Sequence, residues 1–364
     1  MIWIFTVLLG GMGMGFSLTA ASSLSFLAWV SLVPLFLVIR PRSSPEGIGT
    51  VRPAFAAGAL TGTGMSLVAW FWIPGSIASL SHGRWSLGIA VLGAITVFWA
   101  VALGLFAVAN TLIRRWISAR VRSSAADCIL PWIAASLWIL LEFALTVPVV
   151  AFGFPFLPNL GNTQWNVPSL IQIASLTGVL GVSFLIVLIN AALAAALRTR
   201  QWRTLLPALA LLALVWIGGW LRIQAADRAP QETASPIRVA VLQGDIPPFP
   251  KFERVQGNLL AQRYLDLARK ASEARPNLVI WTESAVPWAL EEGDDLVETA
   301  LKITQPAQAC HLVGTLFRAP GGPTNAFHST AFLILPDGQI VAQYHKMRLI
   351  AMAELPVNLP GVTH

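Results

Sequence analysis

Charge is scarce in this sequence. Asp, Glu, Lys and Arg make up 11% of its 364 residues, against about a quarter in an ordinary soluble domain. Lysine is absent from the first 222 residues, and cysteine occurs only twice, as Cys128 and Cys310. Two isolated cysteines make neither a disulfide framework nor a metal site. No histidine or carboxylate cluster has metal-ligand spacing, and no glycine-rich motif is built to cradle phosphate. No metal and no cofactor are therefore expected. A basic n-region is also lacking at the N-terminus, MIWIFTVLLGGMGMG, so this segment reads as a retained first span rather than a signal peptide.

What is present is apolar surface. Hydrophobic residues make up 55% of the chain, and the mean hydropathy is +0.68. A helix crossing a bilayer needs about 20 mostly apolar residues. Seven stretches approach that requirement: 2–18, 24–39, 54–73, 87–113, 128–149, 170–197 and 205–221. Thirteen of the fifteen tryptophans lie within this first part, as expected of side chains that favour the membrane–water interface.

The charges are divided unevenly. Up to Arg222 there are twelve arginines and three acids (Glu46, Asp127 and Glu142), whereas the remainder carries twelve basic and fourteen acidic residues. The basic pI comes from arginines between spans, which is a topology signal and not a nucleic-acid footprint. Arg40, Arg42 and Arg52 follow the second span; Arg114, Arg115, Arg120 and Arg122 follow the fourth; Arg198, Arg200 and Arg203 follow the sixth. The alternate loops carry only Arg84. Lys and Arg gather in cytoplasmic loops, so seven spans place everything after residue 221 outside, which in a bacterium is the periplasm. Glu142 within the fifth span is either a functional intramembrane acid or a hydrogen-bonding tie to a neighbouring helix. Asn190 and Gln172 read as helix–helix contacts. The segment 151–168, rich in Phe, Pro, Asn and Gly, reads either as the border of a lipid entrance or as an ordinary inter-span loop.

These patterns divide the chain into a membrane bundle over 1–222, a polar linker over 223–236 and a domain over 237–364. In that domain apolar runs at 237–243, 278–281, 311–317, 326–335 and 339–344 predict strands, and 257–274 and 296–304 predict helices. Pro336-Asp337-Gly338 is a hairpin turn signal. Strands alternating with helices, followed by a hairpin, indicate an α/β layered domain.

Three ionisable residues sit where strands end. Glu283 lies just past LVIW, Lys346 follows QIVAQYH, and Glu354 comes eight residues later. A partly desolvated carboxylate can act as a general base, and a lysine near it can stabilise an oxyanion. The alternative is that all three are surface charges at loop starts.

Several motifs lie around these residues: QGDIP (243–247), PNLVIWTESAVP (276–287) and YHKMRL (344–349). In the membrane part are WILLEF with Trp138 and Glu142, GFPF (153–156) and TGVLGVSFLIVLINAALA (177–194). Together, and in this order, they resemble the apolipoprotein N-acyltransferases of the nitrilase (carbon–nitrogen hydrolase) superfamily. The resemblance implies an α-helical membrane bundle in the bacterial inner membrane, followed by a periplasmic nitrilase-like αββα sandwich. It implies that an acyl chain from a phospholipid is carried as a cysteine thioester, then passed to the N-terminal diacylglyceryl-cysteine of an apolipoprotein. Glu283 would be the general base, Lys346 the stabiliser of the tetrahedral intermediate, and Glu354 a further glutamate near the site.

The chain departs from the family pattern at several positions. Phe252 stands where a tryptophan is usual, Leu145 where an arginine is expected, and Met352-Ala353-Glu354 where Phe-Gly-Glu is usual. The family nucleophile is expected some tens of residues beyond the lysine, whereas the sequence ends at His364; neither Cys128 nor Cys310 occupies that place. An alternative expectation is therefore a noncatalytic or truncated relative, such as a pseudoenzyme or plasmid-transfer membrane protein. A membrane-tethered amidase would need the same cysteine, and no pair of interrupted helices points to a transporter.

Overall fold

In a computed structural model of the chain, residues 2–19, 22–39, 51–81, 83–152, 159–228, 236–245, 254–283, 285–289, 295–318, 327–347 and 349 are described. The chain divides into two units, Met1–Pro230 and Gln231–His364.

The first unit is helical. Helix α1 (Ile2–Leu18) is followed by a 3-10 segment (Ser22–Trp29) and α2 (Val33–Val38). Next come α3 (Val51–Ala69), α4 (Ile73–Leu80), α5 (Trp85–Ser118) and α6 (Ser123–Phe152). A 3-10 turn (Leu160–Gln164), the single-turn α7 (Pro168–Ile171) and α8 (Ala174–Thr177) lead into α9 (Val179–Thr199) and α10 (Leu206–Arg228). Among the described residues four helices are long and apolar enough to cross a membrane, and α3 with α4, bent by 46°, makes up to five. The unit is a multi-pass membrane bundle, with Phe71, Trp85, Ile89, Leu105, Leu140 and Leu214 among its exposed apolar side chains.

Three expected spans are interrupted. The stretch 24–39 is a 3-10 segment and a short helix, because Pro34 in the first turn of α2 has no N–H to continue a helix through it. Pro74 likewise opens α4 and bends the third span. The sixth breaks at Gly178, whose φ of +65° favours glycine. In contrast, α10 runs past residue 221 to Arg228, carried by alanines within QAADR that favour helix. Close packing of the bundle relies on missing side chains. A Cβ at Gly11 would lie 2.1 Å from the Thr61 carbonyl oxygen, and one at Gly58 2.1 Å from that of Leu103. Backbones of α1, α3 and α5 thereby approach as only small residues allow.

Among the described residues the second unit contains one mixed six-stranded sheet: β1 (Val239–Leu242), β2 (Leu278–Trp281), β3 (Val286–Ala289), β4 (Cys310–Arg318), β5 (Phe327–Ile334) and β6 (Ile340–His345). The order is β1-β2-β4-β5-β6, with β3 paired to β4. β1, β2 and β4 are mutually parallel, and β5 and β6 are added antiparallel. Helices α11 (Arg254–Glu273) and α12 (Asp295–Thr304) contribute Leu260, Tyr264, Ala268, Leu296 and Ala300 to a core with Val279, Trp281, Val313 and Phe332. Strand β3 carries no sequence expectation, since Pro287 within VPWA argues against a strand; its pairing with β4 is irregular, where a proline is tolerated. The β5–β6 turn has Gly338 at φ +90°, and the Gln339 amide donates to Asp337 Oδ1.

Candidate active site

The topology places two of the three expected site residues at one end of the sheet. β6 is antiparallel to β5, and β5 to β4, so β6 runs in the direction of β2 and β4. Glu283 lies just beyond the carboxyl end of β2, and Lys346 just beyond that of β6. The Lys346 amide continues the ladder by donating to the Ser329 carbonyl at 2.8 Å. Its Nζ then donates to Glu283 Oε1 at 2.7 Å, across 63 positions of sequence. Ligands of open α/β sheets gather outside the carboxyl ends of parallel strands.

The segment before Glu283 is fixed from below. Trp281 stacks on Tyr264 of α11 with ring centroids 5.0 Å apart, and its indole N–H donates to His311 Nδ1 at 3.1 Å. The Tyr264 hydroxyl and Thr282 Oγ1 are 2.8 Å apart. Gly244, from the QGD motif, closes over the same tyrosine: a Cβ there would lie 2.9 Å from its hydroxyl oxygen. Beside the lysine, His345 Nδ1 and Thr330 Oγ1 are 2.8 Å apart, and the ring packs against Phe317 and His328. None of these three histidines was singled out in the sequence; His345 in YHK was the available signal.

The pair is not symmetrically buried. The Lys346 side chain is 25% exposed and that of Glu283 68%. The desolvation expected of Glu283 is therefore absent, because it lies in the turn past the strand rather than within it. An exposed pair of this kind contributes only about 0–1 kcal/mol to stability, so its interest is chemical: a proton acceptor held against a fixed positive charge. Glu354, like 153–156 and Phe252, lies outside the described residues. Among the described residues no three His, Cys, Asp or Glu side chains are grouped to hold a metal.

Cys310 begins β4 and is paired with Leu278 at the start of β2. Leu278 and Trp281 are three residues apart, about 10 Å along a strand. The Cys310 thiol thus belongs to the opposite strand ends from Glu283 and Lys346.

Residues 10–192 match the family model described as the apolipoprotein N-acyltransferase N-terminal domain. The chain belongs to the apolipoprotein N-acyltransferase family. A family member from Geobacter metallireducens is 29% identical over 340 residues, covering 91% of this chain and 60% of that protein. One from Azotobacter vinelandii is 30% identical over 335 residues, covering 90% and 59% respectively. For one from Rhizobium etli the figures are 26% over 384 residues, with 98% and 67% covered. The chain thus spans about 60% of the length of the curated apolipoprotein N-acyltransferases it matches.

Proposed function

We propose that the chain takes part in phospholipid-dependent N-acylation of lipoproteins. A cysteine thiolate attacks an acyl ester of a phospholipid, and the lysophospholipid leaves as an alcohol with the thiol's proton. The resulting thioester passes its acyl group to the α-amino group of an apolipoprotein's diacylglyceryl-cysteine, which regenerates the thiol. Glu283 is the base that removes the thiol and amine protons, and Lys346 stabilises the tetrahedral oxyanion. Glu354 is a further glutamate of the same site, and no cofactor takes part. On this reading the second unit is a nitrilase-like αββα sandwich on the periplasmic side of the bacterial inner membrane, and the first unit comprises seven spans.

The observation that carries the reading is the 2.7 Å contact between Lys346 Nζ and Glu283 Oε1 at the carboxyl ends of the strands. Nothing in their sequence separation requires two such residues to meet. One further observation favours a second reading, a noncatalytic relative: Cys310 starts β4, at the strand ends away from the pair.

The two readings separate in one experiment. The full chain, purified in detergent, is given phospholipid and a diacylated lipopeptide, and both protein and peptide are followed by mass spectrometry. Triacylated peptide in the wild type, lowered roughly a hundred- to ten-thousand-fold by Glu283→Gln, supports the acyltransferase reading. Product unaffected by Glu283→Gln and by Lys346→Ala would sink the roles assigned here. No protein thioester and no product would favour the noncatalytic relative.

A further inference from the structure

Three charged side chains lie near one another at the end of the first unit where the loop arginines lie. Arg198, in the last turn of α9, donates through Nη2 to Asp127 Oδ1 at 2.6 Å. Asp127 lies in the second turn of α6. Arg114, one turn before the end of α5, is within electrostatic reach of both. Ile117, Ala126 and Leu130 form a small core that holds the end of α5 on the start of α6. Among the described residues one carboxylate therefore serves two guanidinium groups, leaving one positive charge uncompensated within the cluster.

The hydrogen bonding is also incomplete. Nη1 of Arg198 is buried and has no partner among the described residues, an unfavourable state for a charged donor. Beside the cluster is a narrow opening bordered by Arg114 and Asn110, with Phe36, Ile39, Ile113 and Leu130 in its walls. The opening is narrow and has room only for a small group. Ala191, also on the wall, lies seven residues before Arg198, on the same face of α9.

Guanidinium groups match phosphate oxygens in charge and geometry. The cluster lies at the ends of three bilayer-length helices, the depth at which lipid phosphates are concentrated. Basic pockets between spans at that depth take anionic headgroups. We propose that Arg114 and Arg198 form a binding site for a phosphate oxyanion, supplied by an anionic phospholipid of the adjacent leaflet. Asp127 holds Arg198 in place, one phosphate oxygen enters the opening, and the apolar wall below it meets the upper acyl chain. This site is independent of the Glu283–Lys346 pair and of the reaction proposed for it.

Thermal unfolding of the full chain in detergent, at constant ionic strength, tests the site. Dioleoylphosphatidylglycerol is compared with dioleoylphosphatidylcholine and with inorganic phosphate. Phosphatidylglycerol is expected to raise the unfolding midpoint above that in phosphatidylcholine, and Arg114→Gln is expected to remove at least half of that shift. Arg198→Gln alone strands Asp127, so the paired variant Arg198→Gln/Asp127→Asn is used beside it and is expected to lose the shift as well. Arg228→Gln, at the far end of α10, is expected to keep it. Inorganic phosphate reproducing the whole shift would overturn the lipid as source while retaining the anion site. Equal midpoints in the two lipids, or an undiminished shift in Arg114→Gln and the paired variant, would overturn the site.

Discussion

Asn190 of α9 accepts a hydrogen bond from the Leu32 amide at 2.9 Å, across 158 positions of sequence. Its side-chain nitrogen donates to the Ala28 carbonyl at 2.8 Å and to that of Ile186 in its own helix. Ala28 and Leu32 stand on either side of the break between the 3-10 segment and α2. A chain that interrupts its helix inside a bilayer leaves backbone groups without partners, and these are tolerated only where protein replaces them. Asn190, fully buried, makes that replacement.

Asn190→Leu removes an acceptor and a donor while keeping the volume similar. Leaving the Leu32 amide and Ala28 carbonyl unsatisfied is expected to cost about 1–3 kcal/mol. Asn190→Asp keeps the acceptor for Leu32 but turns an oxygen toward the Ala28 and Ile186 carbonyls. It is therefore expected to gain stability relative to the leucine variant only as the pH is lowered and the carboxyl becomes a protonated donor. Thermal unfolding in a fixed detergent measures the order. A leucine variant as stable as the wild type would mean that the break is not held by this side chain.

The sequence makes the apolar stretches visible but not their continuity. Residues 24–39 and 54–73 have the composition of single spans, and each is divided at a place set by Pro34 or Pro74. A hydrophobicity pattern measures transfer to lipid, and that quantity does not change when a helix bends. Asn190 was legible as a helix contact, though its partners are backbone groups at a break rather than another side chain. Gln172, expected to do the same, donates to the Pro168 carbonyl within its own turn. Gln164 went unread, yet it is buried, accepts from the Trp29 indole and donates to the Ser25 carbonyl.

The candidate site was legible residue by residue and not as an arrangement. Glu283 and Lys346 were visible as ionisable residues after apolar runs. Their meeting depends on β4 and β5 lying between β2 and β6, and strand order is not encoded in the local pattern of any strand.

His311 carries a pH dependence. It is fully buried, and desolvation pushes its pKa down to about 4. Trp281 donates to its Nδ1, so the ring proton is on Nε2 and is offered to Thr304 Oγ1, which itself donates to the Ala300 carbonyl. Protonating Nδ1 would set an N–H against the Trp281 N–H. Between pH 6.5 and about 4 the unfolded chain takes up a proton that the folded one refuses. Stability therefore falls as pH drops through that window, by on the order of 3 kcal/mol in all. Protection factors of the β2 and β4 amides in the full chain, taken relative to the intrinsic exchange rate at each pH, are expected to fall on acidification, with a shallower dependence in His311→Gln. An unchanged slope in that variant would assign the effect to other groups.

Glu142 decides between the two roles that its place in a span leaves open. Its Oε1 accepts from the Trp138 indole N–H at 2.7 Å and from the Leu160 amide at 2.8 Å. The next amide, of Gly161, donates to Ser183 Oγ on α9 at 2.8 Å. The carboxyl group, 6% exposed, thus fastens the 3-10 turn at 160–164 to α6, while Ser183 fastens it to α9. Glu142→Ala strands two buried donors and is expected to lower stability by about 1–3 kcal/mol for each. Glu142→Gln presents an oxygen to the same two donors, so its expected loss is only about 1 kcal/mol. If the residue is a structural tie, any acylating activity of the glutamine variant should follow its fraction folded. A glutamine variant that unfolds like the wild type but has lost activity would instead assign Glu142 an acid–base role. Measuring the unfolding midpoint and product formation on the same preparation separates the two.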